Sequence, residues 1–432
     1  VIVSDGATLQ FNNNDRGVSQ RPFPNGTFLA RDGGIVHYNG SDASNTFKNN
    51  AAATQLPSVR LESGMFQQTV WNAGDGSSRV SNATVHDVFG FVSSGDSRYY
   101  IASAGSNAWN HKTLNVRSGR IQVTDGVLGI RSSLNNGTGS KNSISLRPYA
   151  QTSTDYGDEG AVNGYLDVAT GAMLFSHYPI FAGNDGATDA ALVKVGGGVW
   201  VQTQNLCQTV GYTESSGGNT GGGGANVGGT APHSNIEIRE GTFRLNMGDD
   251  VLEVPPDTAA RTISVQGGTR MEGTGTVSDD FDVTIASGAT LLSGFPADVT
   301  WVTTDSQWYD NYPNHFRQTA GRTDGGVYLA FQGDLTFQSG ANLEVNLGSN
   351  NPLTTTSAGE EATAPTVRFE GTLTVRLVNM PMSITEPVRL TNFAVTPSGL
   401  TADGSIICPE AIAIDAEVKL CTEAEAYTEA NL

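Results

Sequence analysis

Residues 262–294, TISVQGGTRMEGTGTVSDDFDVTIASGATLLSG, contain one short unit twice. Each copy has a β-branched run, a turn with glycine and a second short run: residues 263–265 lead into 267–269, and residues 283–285 lead into 288–290. A unit of this size cannot bury its apolar face alone, whereas stacked copies form a continuous core. The stretch therefore predicts a repeat array in which each copy is one coil.

The same strand–glycine–strand unit recurs along the chain. It is found at residues 58–70, 113–130, 235–247, 334–347 and 366–378, with Gly64, Gly119, Gly241, Gly340 or Gly371 at the corner. Glycine suits such corners because a tight change of direction needs a positive φ or a backbone without a Cβ atom. In the unit 235–247, alternation predicts a buried face and an exposed face. The buried face has Ile236, Ile238, Phe243 and Leu245, and the exposed face has Glu237, Arg239 and Arg244.

The spacing of these corners favours a solenoid over a β-sandwich. Gly241 and Gly268 are 27 residues apart, Gly268 and Gly288 are 20 apart, and Gly340 and Gly371 are 31 apart. Periods of about 20–50 residues are typical of solenoid coils. A sandwich also has short strands and frequent turns, but here one corner recurs and insertions fall between its copies. We therefore predict an all-β fold, a parallel β-helix over residues 1–380.

Four segments interrupt the repeat and are predicted insertions: 89–111, 147–165, 214–229 and 294–326. The segment 214–229 is rich in glycine and is expected to be a flexible surface loop, because it lacks the GxxxxGK[ST] pattern of a phosphate-binding loop. The other three are expected to be ordered loops on the flank of the solenoid. The last of them has an aromatic stretch with Trp301, Trp308, Tyr309, Tyr312, His315 and Phe316.

Composition excludes several classes of partner. The 432 residues include 24 Lys+Arg and 43 Asp+Glu, which gives a net charge of −19. Phosphate backbones and anionic lipid surfaces would be repelled. No apolar run approaches the roughly 18 residues of a membrane span. We expect neither nucleic acid binding nor membrane insertion. No signal peptide is visible, but a chain that starts at Val1 carries no information about export.

Candidate catalytic and metal-binding patterns are weak. Asp155, Asp158 and Glu159 could act as paired carboxylates or hold calcium, but a solvated acidic loop is the simpler interpretation in an acidic protein. The segment 184–189 lacks the Asp-x-Asp-x-Asn-Gly order of a calcium loop. The six histidines lie singly, and no Gly-x-Ser-x-Gly elbow is present. The sequence predicts no enzyme activity, no metal and no cofactor.

The C-terminal part differs in composition. From about residue 381 glycine becomes scarce, and the end of the chain is rich in Ala and Glu. We predict a small β-rich cap or docking module over 381–432. Cys408 and Cys421 are candidates for a disulfide within it, although two reduced buried thiols would fit the same spacing, and Cys207 would then remain single.

Residues 196–347 resemble the autotransporter-associated β-strand repeat family of exported bacterial surface proteins. The resemblance rests on the order of its parts: Gly197–Trp200, Tyr212-Thr213, Gly228–Thr230, and then the segments 236–245, 263–276, 283–291 and 335–347. The 14 residues between Thr213 and Gly228 interrupt the pattern. The resemblance implies a right-handed parallel β-helix, an extracellular or cell-surface position, and no catalytic residues.

Together these observations predict a non-enzymatic structural protein that assembles with itself into an extracellular filament or surface coat. The ends of a solenoid are open sheet edges that must be capped or paired. The stretch VIVSDGATLQF (1–11) has the pattern of a strand from its first residues, so the docking candidates are Val1, Ile2, Val3, Leu9 and Phe11. The alternative is a carbohydrate-binding adhesin or polysaccharide-degrading enzyme on the same scaffold. It would bind a surface polysaccharide in a groove formed by 301–316 and 155–159.

Overall fold

The computed structural model describes fifteen stretches of the chain. They are residues 1–13, 26–40, 57–71, 84–104, 112–132, 142–146, 163–176, 180–182, 190–202, 235–252, 261–294, 329–346, 354–355, 367–370 and 373–378. The chain divides into two compact units. Unit 1 comprises Val1–Glu237, Val254–Ala259 and Tyr309–Phe316, and unit 2 comprises Ile238–Glu253, Ala260–Trp308 and Arg317–Leu432.

The described strands of unit 1 form three sheets. Sheet A contains, in spatial order, β1 (Ile2–Val3), β3 (Thr27–Arg31), β5 (Ser58–Glu62), β8 (Phe91–Ser94), β11 (Arg120–Val123), β14 (Gly164–Val168) and β17 (Ala191–Val195). Sheet B contains β2 (Thr8–Asn13), β4 (Ile35–Gly40), β6 (Met65–Trp71), β9 (Ser97–Ala104), β12 (Val127–Ser132), β15 (Met173–Ser176) and β18 (Val199–Gln202). Sheet C contains β7 (Thr84–Val88), β10 (Lys112–Val116), β13 (Asn142–Leu146) and β16 (Ile180–Ala182).

Unit 2 continues the same alternation of strands along the chain, and the division between the units falls within β19 (Asn235–Ile238). Its sheet A contains β21 (Arg261–Val265), β23 (Phe281–Ile285), β26 (Leu335–Gln338) and β29 (Val367–Glu370). Its sheet B contains β20 (Thr242–Leu252), β22 (Arg270–Val277), β24 (Thr290–Ser293), β27 (Ala341–Asn346) and β30 (Leu373–Val378), with β25 (Leu329–Phe331) and β28 (Thr354–Thr355) beside them.

Parallel pairing between successive copies makes each unit a β-solenoid. In unit 1, β1 pairs with β3 and β2 pairs with β4, both in parallel. In unit 2, β21 pairs with β23 and β22 pairs with β24 in the same way. Parallel neighbours need a crossover between them. Here the crossover from one strand of sheet A to the next contains a strand of sheet B, and in four coils of unit 1 it also contains a strand of sheet C. The predicted all-β solenoid class is confirmed.

The core lies between the sheets, where alternate residues of each strand point inward. The predicted buried residues of the segment 235–247 have relative exposures of 0%: Ile236, Ile238, Phe243 and Leu245. In unit 1 the ring of Tyr99 on β9 stacks on Phe66 of β6, with centroids 5.6 Å apart. It also meets Phe91 of β8 edge-on at 5.9 Å, so this ring joins sheet A to sheet B. Such aromatic contacts add to the stability that burial provides.

The corners from sheet A to sheet B are short and rely on unusual backbone conformations. These connections have only two to four residues in the described coils. Gly241 and Gly340 adopt φ of 74° and 85° at their predicted corners. Gly119, with φ of 68°, lies instead between β10 of sheet C and β11 of sheet A, and the corner from sheet A to sheet B in that coil has Gly126, with φ of 64°. At the corner predicted at Gly64, the residue with a positive φ is its neighbour Ser63, with φ of 55°. Gly64 is required for a different reason: a Cβ atom there would overlap the carbonyl oxygen of Ala30 in the preceding coil.

The prediction that residues 89–111 form an insertion is wrong for most of the segment. Residues Phe91–Ser94 are strand β8 of sheet A, and Ser97–Ala104 are strand β9 of sheet B. The inward residues of this coil include Ser93 and Ser97, both with 0% exposure. Because two inward positions are polar, the alternation of apolar and polar residues that marks a strand was hidden. Residues 105–111 lie outside the described ranges.

The predicted insertion at 294–326 has its two ends close together in sheet B of unit 2. β24 pairs with the first part of β22, and β25 pairs with the second part of β22. The Gly294 N–H donates to the carbonyl of Gly273 at 2.7 Å, and the Leu329 N–H donates to the Ser293 hydroxyl at 3.0 Å. Strands β24 and β25 are thus placed next to successive parts of β22 in sheet B.

Several predictions fall on residues that the structure does not describe. They concern 295–326, 214–229 and all but the last three residues of 147–165, as well as the C-terminal module 381–432. Gly164 and Tyr165 begin strand β14, so the 147–165 insertion ends two residues earlier than predicted.

Candidate functional site: the N-terminal edge

The predicted docking residues lie on the first strands of both sheets in unit 1. Ile2 and Val3 form β1, and Leu9 and Phe11 belong to β2. Val1 precedes β1, and its ammonium group donates to the carbonyl of Thr27 at 2.9 Å. The structure therefore brings these residues together at one end of the unit, which we call the N-terminal edge (Val1–Val3 and Thr8–Asn13).

One side of this edge has backbone groups without a partner among the described residues. The Leu29 N–H donates to the Val1 carbonyl at 2.9 Å, so the backbone of Val1 faces β3. Neighbouring residues of a strand direct their N–H and C=O groups to opposite sides. The N–H and C=O of Ile2 therefore point away from β3, where the order of sheet A has no further described strand. An unpaired row of this kind is a template for another strand.

Apolar side chains accompany this open row. Ile2 is 63% exposed and Val1 is 50% exposed, and with Phe89 they are the exposed large hydrophobic residues among the described ones. Leu9 points inward but is only half-buried, whereas Val36 next to it on β4 is 2% exposed. Leu9 is thus less covered by described residues than Val36, its equivalent in the next coil. Covering this edge with another coil would complete the burial of Leu9.

Arg244, predicted to lie on the exposed face, belongs instead to a buried charge cluster on sheet B of unit 2, and its side chain is only 14% exposed. Glu272, 1% exposed at its side chain, accepts hydrogen bonds from Arg244 at 2.6 Å and from Arg270 at 2.5 Å. Arg270 also donates to Glu344 at 2.6 Å, and these four residues form the charge cluster. The cluster joins β20, β22 and β27, passing the apolar side chain of Leu292 on β24.

The chemistry of the cluster is that of a structural clamp. Two guanidinium groups and two carboxylates give it no net charge, and both arginines are held in position by short hydrogen bonds. Burial by itself lowers the pKa of Arg270, but the hydrogen bond and negative charge of Glu344, together with those of Glu272, outweigh it and raise the pKa above the usual value. Aligning the first residues of β20 and β22 would have placed Arg244 opposite Glu272. That alignment of the two strands is the feature of the sequence from which the pairing of Arg244 with Glu272 could have been predicted.

Two other titratable groups have shifted pKa values. Burial lowers the pKa of the His37 imidazole on the outer side of sheet B in unit 1. For Asp282, on the outer face of sheet A in unit 2, burial and then the charge of Asp334 raise the pKa, against a backbone hydrogen bond from Asp334 that lowers it. Asp334 directly precedes β26, next to Asp282 of β23, and its negative charge disfavours the ionised form of Asp282.

The remaining candidate residues lie outside the described ranges. They are Cys408, Cys421, Asp155, Asp158, Glu159, residues 184–189 and the aromatic segment 301–316. Within the described part of the chain, no three His, Cys, Asp or Glu side chains are grouped so that they could hold a metal ion. The same part contains no helix with the length and apolar character needed to span a membrane.

Comparison with known proteins finds no relative of this chain. No family model, no curated protein and no solved structure matches the chain.

Proposed function

We propose that this protein is a non-enzymatic structural protein, a β-solenoid subunit that associates with other copies into an extracellular filament or surface coat. The observation that carries the proposal is the N-terminal edge, where Ile2 is 63% exposed beside a backbone row that none of the described strands pairs with. An exposed, apolar strand edge without a charge on the strand is costly for a protein that stays monomeric. Pairing with another copy would satisfy the backbone groups and cover the apolar side chains.

Export to the bacterial cell surface is supported by the resemblance of residues 196–347 to repeats of exported surface proteins. The same resemblance supports a right-handed winding of the coils. A general rule agrees with it, since parallel strands of one sheet are joined by right-handed crossovers in about 98% of cases.

Association can be measured on the purified 432-residue chain by light scattering over a range of protein concentrations, with electron microscopy of the same samples. We expect the average mass to rise with concentration and elongated particles to appear. Ile2→Lys places a charge on the edge strand and should weaken association at least tenfold. Gln338→Lys is the matched control, because it adds the same charge to an exposed position on β26, which is paired on both sides. A wild-type chain that remains monomeric at the highest concentration would overturn the proposal.

A further inference from the structure

We propose that Asp125 in unit 1 is a site of spontaneous isomerisation, at which aspartate converts to isoaspartate with water as the only co-reactant. Asp125 and Gly126 lie at the corner between β11 and β12. An Asp-Gly pair also occupies the equivalent corner of two earlier coils, at residues 5–6 and 32–33. Because the three pairs share one sequence, any difference between their reactivities comes from the fold. The reaction needs no second copy and is independent of the proposed self-association.

The reaction begins with attack of the Gly126 nitrogen on the side-chain carboxyl carbon (Cγ) of Asp125. A bond forms between these two atoms, and the carboxyl hydroxyl leaves as water together with the amide proton. Water then opens the succinimide ring that results. Cleavage of the bond from nitrogen to Cγ restores aspartate. Cleavage of the bond from nitrogen to the main-chain carbonyl carbon leaves the backbone running through Cγ, which is isoaspartate.

The attacking N–H is held by a hydrogen bond in both earlier corners. The Gly6 N–H donates to the Asp32 carbonyl at 3.2 Å, and the Gly33 N–H donates to the Ser63 carbonyl at 2.8 Å. The Gly126 N–H, in contrast, has no acceptor among the residues that the structure describes. Attack by an amide that is already bonded to protein must first break that bond. Gly126 attacks without this cost.

The earlier corner at residues 32–33 is also closed by a turn hydrogen bond. The Gly34 N–H donates to the Arg31 carbonyl at 2.8 Å, and both residues between them have a positive φ. At the corner between β11 and β12 the corresponding N–H, that of Val127, donates instead to the Asp96 carboxylate of the preceding coil at 3.2 Å. The peptide group after residue 125 can therefore reorient toward the side chain without opening a turn of this kind.

The position of Asp125 admits water and makes the product disruptive. Asp125 is exposed, so water reaches the carboxyl group and the ring. Gly126 is closely packed, since a Cβ atom there would overlap the backbone of Gly95 in the preceding coil. Its carbonyl accepts a hydrogen bond from the Met173 N–H of the next coil at 2.9 Å. Isoaspartate lengthens the backbone by one carbon at this corner and displaces Gly126 from these contacts, which loosens the coil.

Storage of the purified chain at neutral pH for several weeks in heavy-oxygen water tests the site. Peptide mapping by mass spectrometry locates isoaspartate, and heavy oxygen in the product shows passage through the succinimide. We expect isoaspartate to accumulate about tenfold faster at residue 125 than at residue 32, because cyclisation at Asp32 breaks two hydrogen bonds of ordinary strength. In chain unfolded by guanidinium chloride the two sites should react at similar rates. Isoaspartate that forms no faster at residue 125 than at residue 32 in the folded chain would overturn the proposal.

Asp125→Glu is the matched variant, because it keeps the charge but its longer side chain would have to close a larger ring, which forms more slowly. Storage should lower the melting temperature of the wild type, and it should lower that of Asp125→Glu by less. Circular dichroism before storage shows that both proteins are folded. Equal decreases in the two melting temperatures would contradict the loosening of this coil by isoaspartate.

Discussion

At position 273 the backbone leaves no room for a side chain. Gly273 has φ of 131°, and a Cβ atom there would overlap the carbonyl oxygen of Leu245 on the adjacent strand. Gly268 also has a positive φ, 79°, but a Cβ atom there would meet nothing within 4 Å. A side chain at position 273 would therefore suffer both backbone strain and a steric overlap with the next coil, whereas a side chain at position 268 would suffer backbone strain alone.

We expect Gly273→Ala to destabilise unit 2 by about 3 kcal/mol or more, since strain of roughly 1–3 kcal/mol is added to a steric overlap that neighbouring strands must move to relieve. Gly268→Ala should cost only about 1–2 kcal/mol, the usual penalty of a left-handed conformation with a side chain. Chemical denaturation of both variants measures the difference. If both variants lose the same free energy of unfolding, the coils separate easily at Gly273 and the overlap costs little.

His37 makes the stability of unit 1 depend on pH. Burial holds its folded-state pKa below the ordinary value of 6.5. As the pH falls, the unfolded chain binds the proton first, so this contribution to stability is complete above 6.5 and is lost as the pH drops through 6.5 toward the folded-state pKa. We expect the melting temperature of His37→Gln to decrease less than that of the wild type between pH 7.5 and pH 5. Parallel curves for the two proteins would contradict this role.

At the scale of elements, the charge cluster ties three strands of sheet B in unit 2 together. Glu272 is 1% exposed and lies between Arg244 and Arg270. Removing one partner from a buried ion pair leaves charge without compensation and typically costs about 3–5 kcal/mol. Glu272→Gln should therefore destabilise unit 2 by about 3 kcal/mol in chemical denaturation.

The matched control for this element is Glu62→Gln. Glu62 pairs with Arg60 at 2.7 Å, but the arginine side chain is 57% exposed. Surface pairs of this kind contribute about 0–1 kcal/mol. Similar losses for the two variants would mean that water reaches the charge cluster.

For the molecule as a whole, the net charge of −19 opposes association of identical copies. Salt screens this repulsion, with a Debye length of about 30 Å at 0.01 M and about 8 Å at 0.15 M. We expect filaments to form at lower protein concentration as sodium chloride is raised between these values. Light scattering follows the change, and a decrease in association with salt would indicate that ion pairs, rather than apolar contact and backbone pairing, hold the copies together.

Local sequence determined the coil itself. In 235–247 the alternation of Ile236, Ile238, Phe243 and Leu245 with charged residues predicted which side chains are buried, because a strand turns successive side chains to opposite faces. Gly119, Gly241 and Gly340 marked the corners because their positive φ values suit glycine best. The first residues of the chain also had a strand pattern, and β1 and β2 are where it placed them.

The tertiary structure decided what depends on contacts between coils. Ser93 and Ser97 occupy inward positions, so no apolar alternation revealed β8 and β9, and only stacking against neighbouring coils defines them. The burial of Glu272 depends on Arg244, 28 residues earlier, and on the register that sets the two side by side. Likewise, nothing local distinguishes Leu9 from Val36; one is half-buried and the other is buried because only Val36 has a described coil on both sides.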